Sequence, residues 1–434
     1  MTEAPVVVAL NGQINPNNPG GSESSVMSVA RNIGSRKQDI LLNFISLPPY
    51  VEDVTKAAPD CDEVISWPFS MSLPVLKTVQ SDRWVKVRAK LGPLKPLFDE
   101  AVWLSRWMKS NKKLADAGQC DGLLDKYDVD VVHFGWPLTF PTRRPFIYEP
   151  HDLQHRHYPE FFPPEILRWR EQVYGPACRK AAFIVCGTWW TKHDIMRQYD
   201  VPSERVAVIP RASGNARAAL SPEREAEIAE AYGLPNAFAF YPAMTFVHKN
   251  HKRLIEAIAY LRDAGGPKIN LVCTGRKIQP TFGEVEALIK QRGLENRVWF
   301  LGTVPDDVLT AIYKRAKMIV FPSLFEGLSQ SLLEGLNLGR PVVGAQQSSI
   351  PETVSDAGLL FDGEDVRSIA VTLAEASSRP DLMAKKAKAT AKEMKRYGWE
   401  KATDTFIAVY RKAAGRKLSS FQEDLLASAT RRDP

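Results

Sequence analysis

Two carboxylates, Glu326 and Glu334, are separated by seven residues in the run Val320 to Gly344, and the residues around them predict how each is held. Met318 to Phe321 reads as an apolar strand, a tight turn follows, and a second apolar strand begins at Pro341. Between them Ser329 is placed to cap a short helix, Leu332, Leu333 and Leu336 supply its buried stripe, and Gly339 stops it. Glu326 then belongs to the loop at the helix N-terminus and Glu334 to the helix itself, about 12 Å away if the whole run were helical. That separation suits a ligand with a sugar at one end and a ribose at the other. A diphosphate between them would meet free N–H groups and the positive end of the helix dipole. The same pair also fits a plain helix with one acid at its start and one solvated glutamate.

Other residues add chemistry of the same kind. Tyr241 to Ala257 leaves an apolar strand and enters a helix, and Lys249 would place an ammonium beside a diphosphate, the charge that a departing nucleotide needs. The alternative is a surface lysine. Tyr148 to Pro159 holds three of the seven histidines and starts at a strand end, where catalytic loops sit. His151 is the candidate there, and the bland reading is a turn stapled by Asp152 with His155 and His157 on the surface. Gly20-Gly21 precedes a helical pattern from Ser24, so the backbone at Gly21 can approach a ligand closely, although an ordinary turn needs the same residues. The spacing is not Gly-x-Gly-x-x-Gly, and neither a Walker loop nor a Ser-His-Asp set is present. Asp128-Val-Asp130 leads into a strand instead of standing at a strand end, so no metal-held diphosphate and no metal ligands are expected, and no cofactor.

The elements that must position these residues alternate short apolar runs with longer helical patterns, as in parallel α/β units. In the first half the runs are Val6 to Leu10, Ile40 to Ile45, Val129 to His133, Phe146 to Tyr148, Phe183 to Cys186 and Val206 to Ile209. In the second they are Phe238 to Tyr241, Ile269 to Cys273, Val298 to Leu301, Met318 to Phe321 and Val342 to Gly344. A chain of 434 residues exceeds one ordinary core, so two doubly wound domains are expected, with strand C-terminal ends facing a common cleft.

Composition limits the rest. With 44% hydrophobic and 25% charged residues the chain is an ordinary globular one, and no stretch reaches the length of a membrane span. The N-terminus has no basic region and only a short apolar run, so no signal peptide is expected. Five cysteines without a Cys-x-x-Cys pair argue for a reducing cytoplasm and against structural zinc. The net charge is +7, and basic residues crowd into Arg83 to Lys113, interleaved with Trp84, Trp103 and Trp107. That pattern fits a contact with an anionic membrane surface, or two amphipathic helices with solvated Lys and Arg stems. No nucleic-acid-binding motif accompanies it, so nucleic acid is not an expected partner.

The flanks of the acidic pair, Phe-Pro-Ser, Glu-Gly, Leu-Leu-Glu-Gly and Gly-Arg-Pro-Val-Val, resemble in order and spacing the Glu-x7-Glu signature of retaining glycosyltransferases of family 4. His248-Lys249-Asn250-His251 resembles the phosphate loop of the mannosyltransferase-like members, and His151-Asp152 the His-Asp that follows a strand in many of them. The resemblance implies the GT-B architecture, α/β with two Rossmann-like doubly wound domains facing a central cleft and a C-terminal helix crossing back to the first domain. It implies an acceptor domain at 1–212, a nucleotide-sugar donor domain at 213–395, a crossover helix at 396–416 and a polar tail at 417–434; the polar, charged composition after about Gly415 predicts disorder there.

The resemblance also assigns roles. Glu326, His151 and Lys249 become catalytic, with Glu326 on hydroxyls of the donor sugar and His151 near that sugar. Gly21, Gly327, Leu328, Ser329 and Glu334 become donor-binding, Glu334 through the ribose. In the family's commoner version an Arg stands five residues before the Lys, where this chain has Met244, and Arg276 at the next strand end is the candidate to replace it. Ser348 to Glu352 resembles the loop that closes the nucleotide site. The implied function is metal-independent, retaining transfer of a mannose-like sugar from a nucleotide donor to a glycan, a lipid-linked saccharide or a small molecule, in the cytoplasm and at the inner face of a membrane. A GT-B sugar-nucleotide epimerase and a non-catalytic binding protein of the same fold are the alternatives.

Overall fold

In the computed structural model, residues 4–15, 21–68, 117–213 and 219–431 are described. They divide into two compact units. The first comprises Met1–Cys186, Asp194–Ile209 and Thr403–Pro434, and the second Gly187–His193 and Pro210–Ala402. The basic, tryptophan-bearing stretch Arg83 to Lys113 lies outside the described residues.

The first unit is built on a seven-stranded sheet. Its strands are β1 (Val6–Asn11), β2 (Ile40–Ser46), β3 (Glu63–Ser66), β4 (Val131–Phe134), β5 (Phe146–Tyr148), β6 (Phe183–Cys186) and β7 (Val206–Val208). They run parallel in the order β3-β2-β1-β4-β5-β6-β7, so the chain order reverses between β1 and β4. The second unit carries six: β8 (Ala239–Pro242), β9 (Leu271–Thr274), β10 (Val298–Phe300), β11 (Met318–Phe321), β12 (Val342–Ala345) and β13 (Gly358–Phe361). Their order is β10-β9-β8-β11-β12-β13, all parallel, with the reversal between β8 and β11. Both sheets are therefore doubly wound, as the alternating pattern predicts. Central strands such as β4, β6, β8, β9, β11 and β12 are buried along their whole length, which is why they read as continuous apolar runs.

The two strands that the apolar runs miss, β3 and β13, are edges. Each pairs on one side only and stays partly exposed, so its sequence need not be apolar throughout.

Two local features fix the helix Gln330–Asn337. Its Leu332, Leu333, Gly335 and Leu336 are buried, and a Cβ on Gly335 would lie 2.9 Å from Cγ1 of Ile319, so the helix approaches β11 closely enough to require glycine. Gly339 then takes φ +69° and ends it. At the other end Ser329 occupies the cap position, but its side chain makes no capping hydrogen bond, contrary to expectation.

The chain returns to the first unit within the helix Trp399–Ala413, since residues from Thr403 onward belong there. Beyond it, the segment expected to be disordered forms the helix Ser420–Thr430, started by a capping box of Ser419 and Gln422 and seated through buried Leu425 and Ala429.

Candidate functional site

In an open α/β sheet the ligand crevice lies beyond the strand C-terminal ends at the point where strand order reverses. In the second unit that point falls between β8 and β11. Lys249 follows β8 and Glu326 follows β11, so the fold delivers one cation and one carboxylate to the same place. They meet there: Lys249 Nζ donates to Glu326 Oε1 at 2.6 Å, with side chains 17% and 9% exposed.

The backbone of both loops is held by named partners. Tyr241 Oη donates to the Lys249 carbonyl at 2.7 Å and lies 3.0 Å from Ser323 Oγ. Asn250, at φ +59°, donates through Nδ2 to the carbonyls of Pro322 (3.0 Å) and Gly363 (2.7 Å), tying the lysine loop to the loops after β11 and β13. The Glu326 N–H donates to Ser348 Oγ at 2.9 Å, and Ser349 Oγ donates to the Glu326 carbonyl at 2.7 Å. Thr188 and Thr191 donate their hydroxyls to the Gly327 carbonyl at 3.0 and 3.2 Å. At Gly187 a Cβ would come within 2.6 Å of Leu328 Cδ2, so a larger residue there would have to displace that side chain. The site is built from backbone geometry as much as from side chains.

Its electrostatics favour an anion. Gly327, Leu328 and Ser329 make no backbone N–H hydrogen bond among the described residues, and they precede the positive end of the helix Gln330–Asn337. Lys249 stands on the same side through its pair with Glu326. Glu334 lies in the helix, half-buried. Arg276, following β9, is exposed, and its Nη2 lies 3.5 Å from Met244 Sδ. The guanidinium therefore reaches the residue that stands where an arginine was expected.

Ser348 to Glu352 does more than border this site. The Glu352 carboxylate accepts from the N–H groups of Trp189 and Trp190, both at 2.9 Å, at the start of the helix Trp189–Tyr199. Burial pushes its pKa up, against the pull of those two hydrogen bonds. His251 is buried against the rings of Tyr241 and Phe300, at 4.7 and 5.7 Å. Burial, with the neighbouring Lys249 charge, pushes its pKa down to about 3, so it packs as a neutral ring.

The remaining candidates belong to the first unit. Gly21 opens the helix Gly21–Gly34. His151 follows β5 with φ +64°, and its Nε2 donates to the Gly135 carbonyl at 2.9 Å beside Trp136. That bond fixes the proton on Nε2 and leaves Nδ1 as the acceptor of the neutral ring. Asp152 staples the turn by accepting from the Gln154 N–H at 3.0 Å, as expected. His155 is not a surface residue: it is 2% exposed, bonded to Glu171 and Tyr199, and burial pushes its pKa down to about 3. His157 pairs with Asp194 at 2.9 Å.

Several residues that the sequence pattern passes over are structural parts of these sites. Buried His133 lies 3.0 Å from Glu149 Oε1 and 2.7 Å from Tyr410 Oη, and Glu149 stands two residues before His151. Thr188, Thr191 and Asn250 likewise hold the loops that carry Glu326 and Lys249. Only Asn250 carried a local signal, since asparagine tolerates the left-handed conformation more readily than most side chains. No group of acidic, histidine or cysteine side chains suited to a metal occurs among the described residues, and no described helix is long and apolar enough to cross a membrane.

Comparison with known proteins accounts for both halves. The family described as "Glycosyl transferases group 1" matches residues 224–395, and "Glycosyltransferase Family 4" matches residues 95–212. The O-antigen chain mannosyltransferase B of Escherichia coli is 27% identical over 264 residues, 60% of this chain and 68% of that protein. The serotype-specific mannosyltransferase WbdA of Escherichia coli is 32% identical over 180 residues, 41% of this chain but 22% of its own length. The crystal structure of HepE from Anabaena in complex with UDP and glucose superposes with a TM-score of 0.66 at 19% identity, covering 92% of this chain and 98% of that one. At that identity the likeness shows the fold, which is GT-B.

Proposed function

We propose that this chain, which belongs to glycosyltransferase family 4, moves a mannose-like sugar from a nucleotide diphosphate sugar to a hydroxyl of a glycan or lipid-linked saccharide, with retention and without a metal. The observation that carries this reading is the 2.6 Å contact of Lys249 with Glu326 beside the free amides of Gly327 to Ser329. An anion-binding helix start, a cation and a sugar-orienting carboxylate meet there. The two mannosyltransferase relatives support the choice of sugar, and HepE with UDP and glucose supports a nucleotide-sugar donor.

In this mechanism the acceptor hydroxyl attacks the anomeric carbon on the face from which the nucleoside diphosphate departs. The electron pair of the breaking bond goes to the phosphate oxygen, which takes up the proton released by the acceptor hydroxyl. Lys249, the amides of Gly327 to Ser329 and Arg276, reaching past Met244, stabilise that charge. Glu326 orients the sugar and Glu334 the ribose. We place the reaction in the cytoplasm, with the chain bound peripherally to a membrane.

The test is a panel of GDP-, UDP- and ADP-sugars assayed for donor hydrolysis and transfer, with and without exhaustive chelation. Turnover of a GDP- or UDP-sugar that survives chelation is the expected result. Loss of activity that magnesium or manganese restores would remove the metal-free mechanism. Isomerisation of the nucleotide sugar without transfer would favour an epimerase.

A further inference from the structure

We propose that Glu326, besides orienting the sugar, makes the site prefer the intact donor over the nucleoside diphosphate that remains after transfer. The inference rests on the donor-site reading, in which Lys249 meets the diphosphate and Glu326 the sugar. The ion pair carries it. Nζ and Oε1 are 2.6 Å apart, and with side chains 17% and 9% exposed the carboxylate offsets the ammonium with little screening by water or salt.

Glu326 is also held in place. Its N–H is engaged by Ser348, its carbonyl by Ser349, and the next carbonyl by Thr188 and Thr191. The loop that bears the carboxylate is anchored on every side, so any anion at Lys249 shares its surroundings with that negative charge.

The two ligands differ in what they bring to it. An intact donor supplies sugar hydroxyls, which donate to the carboxylate and satisfy it. Its terminal phosphate is esterified and carries one negative charge fewer. Once the sugar has left, the phosphate has gained that charge and nothing remains to donate to Glu326. A carboxylate and a phosphate then face each other in an enclosed site, and like charges there repel. The residue that orients the sugar in the forward step thus weakens the hold on the leaving product.

The test measures binding, not turnover. UDP and GDP are titrated calorimetrically into wild type, Glu326→Gln and Glu326→Ala, with melting temperatures recorded alongside. Both variants should bind the nucleoside diphosphate that wild type binds about tenfold more tightly, because one negative charge beside the ammonium is gone. Adding Lys249→Ala to Glu326→Gln should erase the gain, since the freed cation is its source. Folded variants that bind the diphosphate no more tightly than wild type would overturn the inference and leave the donor-site reading standing. Failure of wild type to bind either nucleotide would overturn both.

Discussion

Asn250 shows how one side chain sets the spacing of this site. Its backbone takes φ +59°, a region where asparagine meets a smaller steric penalty than most residues, and its amide spans two carbonyls from separate loops. Next to it, Lys249 and Glu326 are expected to separate binding from chemistry. Lys249→Ala should weaken nucleoside diphosphate binding by about 1.5 to 3 kcal/mol, the range for losing a charged hydrogen-bond partner; unchanged affinity by calorimetry would shift the role to Arg276. Glu326→Gln should lower turnover by roughly 2 to 4 kcal/mol in activation free energy, as for other donors and acceptors that act in the transition state. More than about a tenth of wild-type turnover in a folded variant would refute that role. His251 makes a prediction of a different kind. Its pKa falls from 6.5 to about 3 on folding, so the unfolded chain takes up a proton below pH 6.5 that the folded chain refuses. The stability it contributes is complete above 6.5 and is lost as pH drops toward 3, by about 1.4 kcal/mol per pH unit. Melting curves at pH 7 and pH 5 should show a smaller drop in His251→Phe than in wild type, and equal drops would contradict the assignment.

At the scale of elements, the helix Trp399–Ala413 is fastened by one buried and one partly exposed polar contact. Tyr410 Oη meets His133 Nδ1 at 2.7 Å, and earlier in the same helix Asp404 takes Arg36 Nη1 at 2.7 Å. Tyr410→Phe keeps the ring and strips the hydroxyl, leaving the buried imidazole one partner short. The expected cost is about 1 to 3 kcal/mol in chemical denaturation, more than an exposed tyrosine would give; a loss within error of zero would mean that the contact contributes nothing net. The same helix marks what the sequence can and cannot reveal. Strands buried on both faces announce themselves as apolar runs, whereas edge strands β3 and β13 do not. The helix Ser420–Thr430 did carry a signal, the Ser419-x-x-Gln422 box, but polar composition masked it. Lys249 and Glu326 are legible because each sits in a short local motif at a strand end. The His133–Tyr410 and Thr188–Gly327 contacts join residues 277 and 139 positions apart, and nothing in either local stretch records the partner.

For the molecule as a whole the most uneven property is charge. The chain has 57 basic and 50 acidic residues, an excess of seven. Arg83 to Lys113 alone holds Arg83, Lys86, Arg88, Lys90, Lys95, Arg106, Lys109, Lys112 and Lys113 against Asp99 and Glu100, which is the same excess, so the rest of the chain is balanced. A field concentrated in one stretch, with Trp84, Trp103 and Trp107 beside it, suits an anionic surface far better than the same charge spread evenly would. Each Lys or Arg near such a surface contributes roughly 1 kcal/mol, and the contribution falls away within a Debye length of about 8 Å at physiological salt. Sedimentation with vesicles should therefore recover the protein with anionic lipid at low salt, recover less as salt rises, and recover little with neutral lipid. Replacing Lys109, Lys112 and Lys113 by Gln should shift the salt midpoint downward while leaving hydrolysis of a free nucleotide-sugar donor unaffected. Equal recovery with neutral and anionic vesicles, or none at low salt, would refute a contact of this stretch with an anionic surface.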